Sequence, residues 1–176
     1  VRAQSVVTRE EYNIPEDARV FLYAGGLSSR KNVVWLIEKF VQYHRDNDYL
    51  LVLGEGDKEV ECKEKSDNHV KMLGFQSDPI AYMNISDVYT SASKSEGLSI
   101  SVLEALSCGL GLFLSDIPSH REVVKMGRDV YLGDTFDIVN FEAKLNLLRE
   151  KKLDKEKIVA FQRKNLSASG MAEAYQ

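Results

Sequence analysis

The chain has 176 residues, 44% of them hydrophobic and 28% charged, and carries a formal net charge of −4 at pH 7. That length suits one domain with a substantial buried core, and the acidic balance excludes the broad basic field that recruits nucleic acid or anionic lipid. No apolar run approaches a membrane span and the first residues carry no signal-peptide pattern, while the two cysteines, Cys62 and Cys108, have neither metal-ligand spacing nor the number for a disulfide framework, so the cytoplasm is the expected compartment.

The chain opens on Val1 and not on Met, as expected of a piece of a longer protein, and residues 1–17 read as an approach segment from a preceding domain. Within it, Thr8-Arg9-Glu10-Glu11 has the capping-box spacing of one short helix, stopped at Asn13-Ile14-Pro15. Arg19–Ala24 is a continuous apolar strand punctuated by Gly25-Gly26. Val33, Leu36, Ile37, Phe40 and Val41 then share one face of a helix. A second strand at Tyr49–Leu53 closes on Gly54-Glu55-Gly56, and a polar helix runs to about Lys65. The third strand, Val70–Leu73, ends at Gly74. Ser77-Asp78-Pro79 marks a helix start with proline at its first position. Strands follow at Asp87–Ser91 and Gly111–Ser115, separated by a helix that ends at Cys108-Gly109, and a sixth is predicted at Asp129–Leu132. Helices at about 137–152 and 154–165 complete a domain spanning 18–166, with a terminal helix in 167–176 that frays when alone. Strands that alternate with helices and read as unbroken apolar runs predict a mainly parallel six-stranded sheet covered on both faces, a doubly wound, Rossmann-like α/β/α sandwich.

In such a sheet, ligands bind beyond the carboxyl ends of the strands. The first turn there, Gly25-Gly26-Leu27-Ser28-Ser29-Arg30-Lys31, combines glycines with two cations ahead of a helix N-terminus, as a phosphate site requires. After the third strand, Phe75 and Gln76 sit where an aromatic ring can flank a base, although core packing explains Phe75 equally well. After the fourth, Glu96-Gly97-Leu98-Ser99 leads into a helix that carries Glu104. Two carboxylates so placed can accept sugar hydroxyls, and the free amides can meet a phosphate. The plainer alternative is that Ser101 to Glu104 is a capping box. Gly54-Glu55-Gly56 lacks the third glycine of a dinucleotide fingerprint, since position 59 is Glu59, and reads as a turn. Asp46-Asn47-Asp48 also reads as a turn on the opposite edge, and no metal is expected. Asp116, His120 and Glu122 are explained by helix capping and surface exposure, and Cys108 by packing.

Glu96 and Glu104, followed by Ala105-Leu106-Ser107-Cys108-Gly109 and Ser115-Asp116-Ile117-Pro118-Ser119-His120-Arg121-Glu122, resemble the donor-sugar signature of the family 4 (group 1) retaining glycosyltransferases, over about Val20 to Val124. The resemblance implies the C-terminal, donor-binding domain of a two-domain GT-B enzyme that takes a sugar from a nucleotide-diphospho-sugar. Glu104 would hold the ribose, Glu96 the sugar, the amides at Gly97, Leu98 and Ser99 the sugar or distal phosphate, and Lys31 with Arg30 the departing diphosphate. Lys31 and Glu96 would then be the catalytic pair, with Gly25, Gly26, Phe75 and Gln76 completing the donor site and no cofactor needed. The family's arginine after the first strand is replaced here by Gly26. Acceptor binding would belong to a missing N-terminal domain, so a chain of this extent is expected to bind nucleotide without turnover. A peripheral membrane contact of the whole protein stays open. A GT-B sugar-nucleotide epimerase and a degenerate nucleotide-binding module are the alternatives. A phosphate receiver is disfavoured because the first strand ends in Ala24-Gly25-Gly26 and lacks an aspartate.

Overall fold

The computed structural model describes residues 6–167. Its strands are β1 Arg19–Ala24, β2 Asp48–Leu53, β3 Val70–Gly74, β4 Val88–Ser91, β5 Gly111–Ser115 and β6 Gly133–Phe136. Its helices are α1 Val33–Tyr43, α2 Glu59–Lys65, α3 Pro79–Met83, α4 Ile100–Ser107, α5 Pro118–Met126, α6 Phe141–Glu150 and α7 Lys155–Asn165. All six strands run parallel in the order β3-β2-β1-β4-β5-β6.

The chain winds outward from β1 to β3, returns through α3 to place β4 beside β1, and winds outward the other way to β6. The alternation in β1 shows why both faces are covered. Val20 and Leu22 pack with α3, α4, α5 and α7, while Phe21 and Tyr23 pack with α1, α2 and α6. All four side chains are at most 1% exposed. Each fully buried chain of this size contributes about 1.5–3 kcal/mol by leaving water. On the second face, Trp35, Phe113, Phe136 and Phe141 form an aromatic cluster with centroids 4.5–5.9 Å apart, which locks α1 and α6 against β5 and β6.

The sixth strand is displaced from its expected place. Residues 129–132 form the approach, with Tyr131 at φ 55°, and the ladder begins when the Leu132 carbonyl accepts Leu112 N at 2.7 Å. Gly133 sets that start: at φ +145°, a Cβ there would lie 1.8 Å from the Leu112 carbonyl oxygen, so only glycine lets β6 close onto β5.

The expected capping box at Thr8 is not formed. Glu10–Tyr12 is a single 3₁₀ turn, and the Thr8 hydroxyl donates to the Glu11 carboxylate itself at 3.1 Å. Residues 6–17 are bound to the amino edge of the sheet by Arg9, which donates to the carbonyls of Ile85, Glu16 and Ala18 and pairs with Asp87 at 3.2 Å. On the same edge, Asp48 pairs with Arg149 at 2.5 Å, both side chains being at most 7% exposed. The second aspartate of the Asp46-Asn47-Asp48 run is thereby committed to structure. The helix expected in 167–176 lies, from residue 168 onward, outside the described residues.

Candidate functional site

The strand order creates one topological switch point, between β1 and β4, and the loops leaving the carboxyl ends of these two strands diverge there. The loop after β1 is shaped from beside and below. Gly25 N donates to Leu53 O at 3.0 Å and Leu27 N to Glu55 O at 2.9 Å, binding it to the turn after β2. That turn needs Gly54, at φ +135°, because a Cβ would lie 1.8 Å from the Gly25 carbonyl oxygen. The Gly54-Glu55-Gly56 run is therefore a shoulder for the first loop. From below, the buried hydroxyl of Tyr23 donates to Gly26 O at 2.8 Å and that of Tyr89 to Ala24 O at 3.2 Å. Gly26 itself faces open space: the nearest atom to a Cβ built there is the Glu55 carbonyl oxygen at 4.0 Å.

Across the switch point, Lys31 Nζ forms an ion pair with Glu96 Oε1, which also accepts from Ser93 Oγ. The two side chains are 21% and 7% exposed. Burial acts to raise the Glu96 carboxyl, but the hydrogen bonds from Lys31 and Ser93 and the Lys31 charge outweigh it and hold it below its ordinary 4.5. Two further bonds hold the loops together: Lys94 N donates to Arg30 O and Arg30 Nη1 to Ser95 O, both at 2.9 Å. Arg30 thus has one donor occupied by protein on an otherwise exposed side chain.

Glu96 rests in a polar nest of four serines, of which Ser115 and Ser119 lie in the stretch that resembles the donor-sugar signature and Ser91 and Ser93 do not. Ser91 and Ser93 bond one another at 3.1 Å, Ser115 Oγ donates to Ser93 O at 2.7 Å, and Ser119 Oγ donates to Glu96 O at 2.9 Å. His120, expected at the surface, is only 2% exposed. The reason is α5, whose first turns place His120 and Val123 on one buried face, an i, i+3 spacing legible after Pro118. Its Nδ1 donates to Ser115 O at 2.9 Å, and Nε2 is buried without a hydrogen-bond partner. Burial pushes this imidazole below its ordinary 6.5, so it is neutral at pH 7.

Just before the start of α4, the amides of Gly97, Leu98 and Ser99 donate to nothing among the described residues. The α4 N-cap is Ser99, so the capping box from Ser101 to Glu104 does not form. Glu104 uses its backbone carbonyl for Cys108 N and Ser107 Oγ, and its carboxylate has no hydrogen bond among the described residues. It lies one turn after Ser101, which lines a cleft of about 360 Å³ with Gly25, Gly26, Gly54, Phe75 and Gln76. Phe75 is 69% exposed at the mouth of that cleft and takes no part in the core, while Gln76 is held by a 2.8 Å bond to Leu73 O. The sequence-predicted residues therefore share one edge in two groups, the Lys31–Glu96 pair and the Gly26–Phe75 cleft, with Glu104 on the α4 helix beside them. A slightly larger cleft of about 430 Å³ lies on the amino edge, where Arg19, Arg45 and Arg149 face Asp17, Asp48 and Asp87. Its charges cancel and its ion pairs are structural. Both thiols are held protonated, Cys62 being pushed up to about 11 by burial.

A doubly wound parallel domain with a lysine–glutamate pair and unpaired amides at its switch point has the make-up of the class of phosphate-bearing ligand-binding domains. Within that class, a family model described as "Glycosyl transferases group 1" matches residues 6–165, and the chain belongs to that family. It is 26% identical over 178 residues to the O-antigen biosynthesis glycosyltransferase WclY of Escherichia coli, an alignment covering 96% of this chain and 48% of that protein. It is 27% identical over 150 residues to the putative glycosyltransferase EpsD of Bacillus subtilis, covering 81% of this chain and 39% of EpsD. The chain thus spans about half the length of the first curated relatives it matches. Among solved structures it resembles Anabaena HepE in complex with UDP, with TM-score 0.77, 18% identity, and 95% of this chain and 50% of that chain covered. It also resembles the pneumococcal O-GlcNAc transferase GtfA in complex with UDP and GlcNAc, with TM-score 0.72, 18% identity, and 92% and 36% coverage. These structures show the GT-B type of α/β fold.

Proposed function

We propose that this chain is the donor-binding half of a retaining glycosyltransferase that moves a hexose-type sugar from a nucleotide-diphospho-sugar, with UDP the nucleotide to test first, to an acceptor such as a growing glycan. The observation that carries the reading is the Lys31–Glu96 pair, which spans the switch point beside unpaired amides at a helix start. The UDP complexes of structural neighbours support the choice of base.

In this reading Phe75 and Gln76 border the base, Glu104 takes the ribose hydroxyls, and Glu96 takes hydroxyls of the sugar through Oε2, which accepts no hydrogen bond among the described residues. Transfer breaks the bond between the anomeric carbon and the diphosphate oxygen, whose electron pair leaves on that oxygen, and forms a bond from the anomeric carbon to an acceptor hydroxyl oxygen, whose proton passes to the departing diphosphate. Lys31, with the amides of Gly97, Leu98 and Ser99, stabilises the charge that builds there, an effect typically worth about 10²–10³ in rate per well-placed donor. Lys31 and Glu96 are the catalytic pair, and Arg30 braces the Glu96 loop and reaches the phosphates with its remaining donors. The diphosphate charge is met by protein groups, and the reaction as proposed uses no metal or organic cofactor.

Acceptor binding is assigned to an N-terminal domain of the same protein, so this chain alone binds donor without transferring sugar. Two free cysteines support a reducing, cytoplasmic setting. Among the described residues no helix is long and apolar enough to cross a membrane. The test is a two-dimensional NMR titration with UDP, GDP and ADP. Saturable shifts near Lys31, Phe75 and Glu104 with one nucleotide, lost in Glu104→Ala, are expected; no shift with any of them at about 10 mM refutes the reading, since even millimolar affinity would be visible there.

A further inference from the structure

We propose that the Lys31–Glu96 ion pair discriminates the intact sugar nucleotide from the spent nucleoside diphosphate, because Glu96 competes with the diphosphate for Lys31 until the hydroxyls of a bound sugar relieve it. The inference rests on the donor-site reading above and adds to it a preference between two ligands of the same crevice.

Glu96 is held tightly. Its side chain is 7% exposed, and Oε1 accepts from both Lys31 and Ser93. A nearly buried carboxylate that loses its cation is left with a desolvated, unpaired charge. A free diphosphate entering the crevice draws on the same ammonium and sets its own negative charge beside that carboxylate, so two anions divide the Lys31 charge, while Arg30 keeps one donor on Ser95 O. The other titratable group in the field of both, His120, is buried and bonded to Ser115 O, and it supplies no second cation at neutral pH.

An attached sugar changes the balance. Its hydroxyls can donate to Oε2 while Oε1 keeps the Ser93 bond, so the carboxylate stays solvated by donors as Lys31 turns part of its charge toward the phosphates. Once the sugar has been transferred, those donors are gone and Glu96 reclaims Lys31, which loosens the product nucleotide. Lys31 and Glu96 are 65 positions apart, and the pair exists only because β4 lies against β1.

The test is calorimetric titration of the chain with UDP and with UDP-N-acetylglucosamine, for the native sequence and for Glu96→Gln, Ser93→Ala, Lys31→Met and the double variant Lys31→Met/Glu96→Gln. Glutamine keeps the shape of Glu96 but gives up its claim on the ammonium. Glu96→Gln is expected to bind UDP about tenfold tighter, equivalent to 1.4 kcal/mol, without tightening UDP-N-acetylglucosamine. Ser93→Ala makes Glu96 depend more on Lys31 and is expected to weaken UDP. In the Lys31→Met background, the change to glutamine relieves only the like-charge repulsion and is expected to tighten UDP by a clearly smaller factor than in the native chain. The proposal is overturned if Glu96→Gln leaves UDP affinity unchanged or lowers it, or if the full gain persists without Lys31. Native binding of UDP with a flat response to Glu96→Gln removes this proposal alone. No binding of UDP, GDP or ADP by either the native chain or Glu96→Gln removes the donor-site reading and this proposal together.

Discussion

Gly26 occupies the position at which the resemblance to the group 1 enzymes implies an arginine, and replacing it by arginine asks whether the crevice is built for a diphosphate. The backbone there tolerates the change. A Cβ at Gly26 meets nothing nearer than the Glu55 carbonyl oxygen at 4.0 Å, and the Tyr23 hydroxyl bonds only the backbone carbonyl of Gly26. Folding stability should therefore shift by no more than about 0.5 kcal/mol, as for an ordinary surface site. A guanidinium about 4 Å from a phosphate charge has a gross attraction of roughly 4 kcal/mol at an effective dielectric of 20. After desolvation and side-chain ordering, a charge-assisted hydrogen bond retains about 1.5–3 kcal/mol. Gly26→Arg is accordingly expected to tighten UDP by about 10- to 100-fold, and calorimetry beside a thermal melt without ligand separates binding from folding. A Gly26→Arg chain with an unchanged melting temperature and no gain in UDP affinity would refute the placing of the diphosphate beside this loop.

Gly54→Ala puts a methyl 1.8 Å from the Gly25 carbonyl oxygen at φ +135°, and should lower stability by about 2–5 kcal/mol in urea melts. A loss below about 1 kcal/mol there would mean that the shoulder of the first loop is not rigid. Arg149→Met strands the buried Asp48 carboxylate and should lower stability by about 3–5 kcal/mol, whereas a neutral result would show the amino-edge pair to be dispensable. Stability should also depend on pH in two windows. His120 is depressed from 6.5 and Glu96 from 4.5, so in both cases the unfolded chain binds the proton first. Their contributions are present above 6.5 and 4.5 respectively and are lost as pH falls through the lower folded values. His120→Gln should remove the upper window from urea midpoints measured between pH 7 and 5, and an unaltered profile in that variant would assign the window elsewhere.

Much of this molecule is set by short-range order. The apolar runs at 19–24, 49–53 and 111–115, each closed by a turn, specify buried parallel strands because side-chain period and glycine conformation are local properties. The loop at Gly25–Lys31 and the Glu96–Ser99 turn are legible as strand-to-helix junctions for the same reason, since glycines, cations and free amides are local features. Where those segments meet is a different matter. The Lys31–Glu96 pair and the closure of Ser93, Ser115, Ser119 and His120 around one carboxylate depend on β4 inserting beside β1 and β5 beside β4, an order that no local pattern encodes. The last strand follows the same logic. Asp129–Leu132 has the look of a strand, but the ladder waits for Gly133, the residue that can press its backbone against Leu112. The elements themselves follow from local sterics and periodicity, whereas the site follows from backbone contacts between residues far apart in the chain.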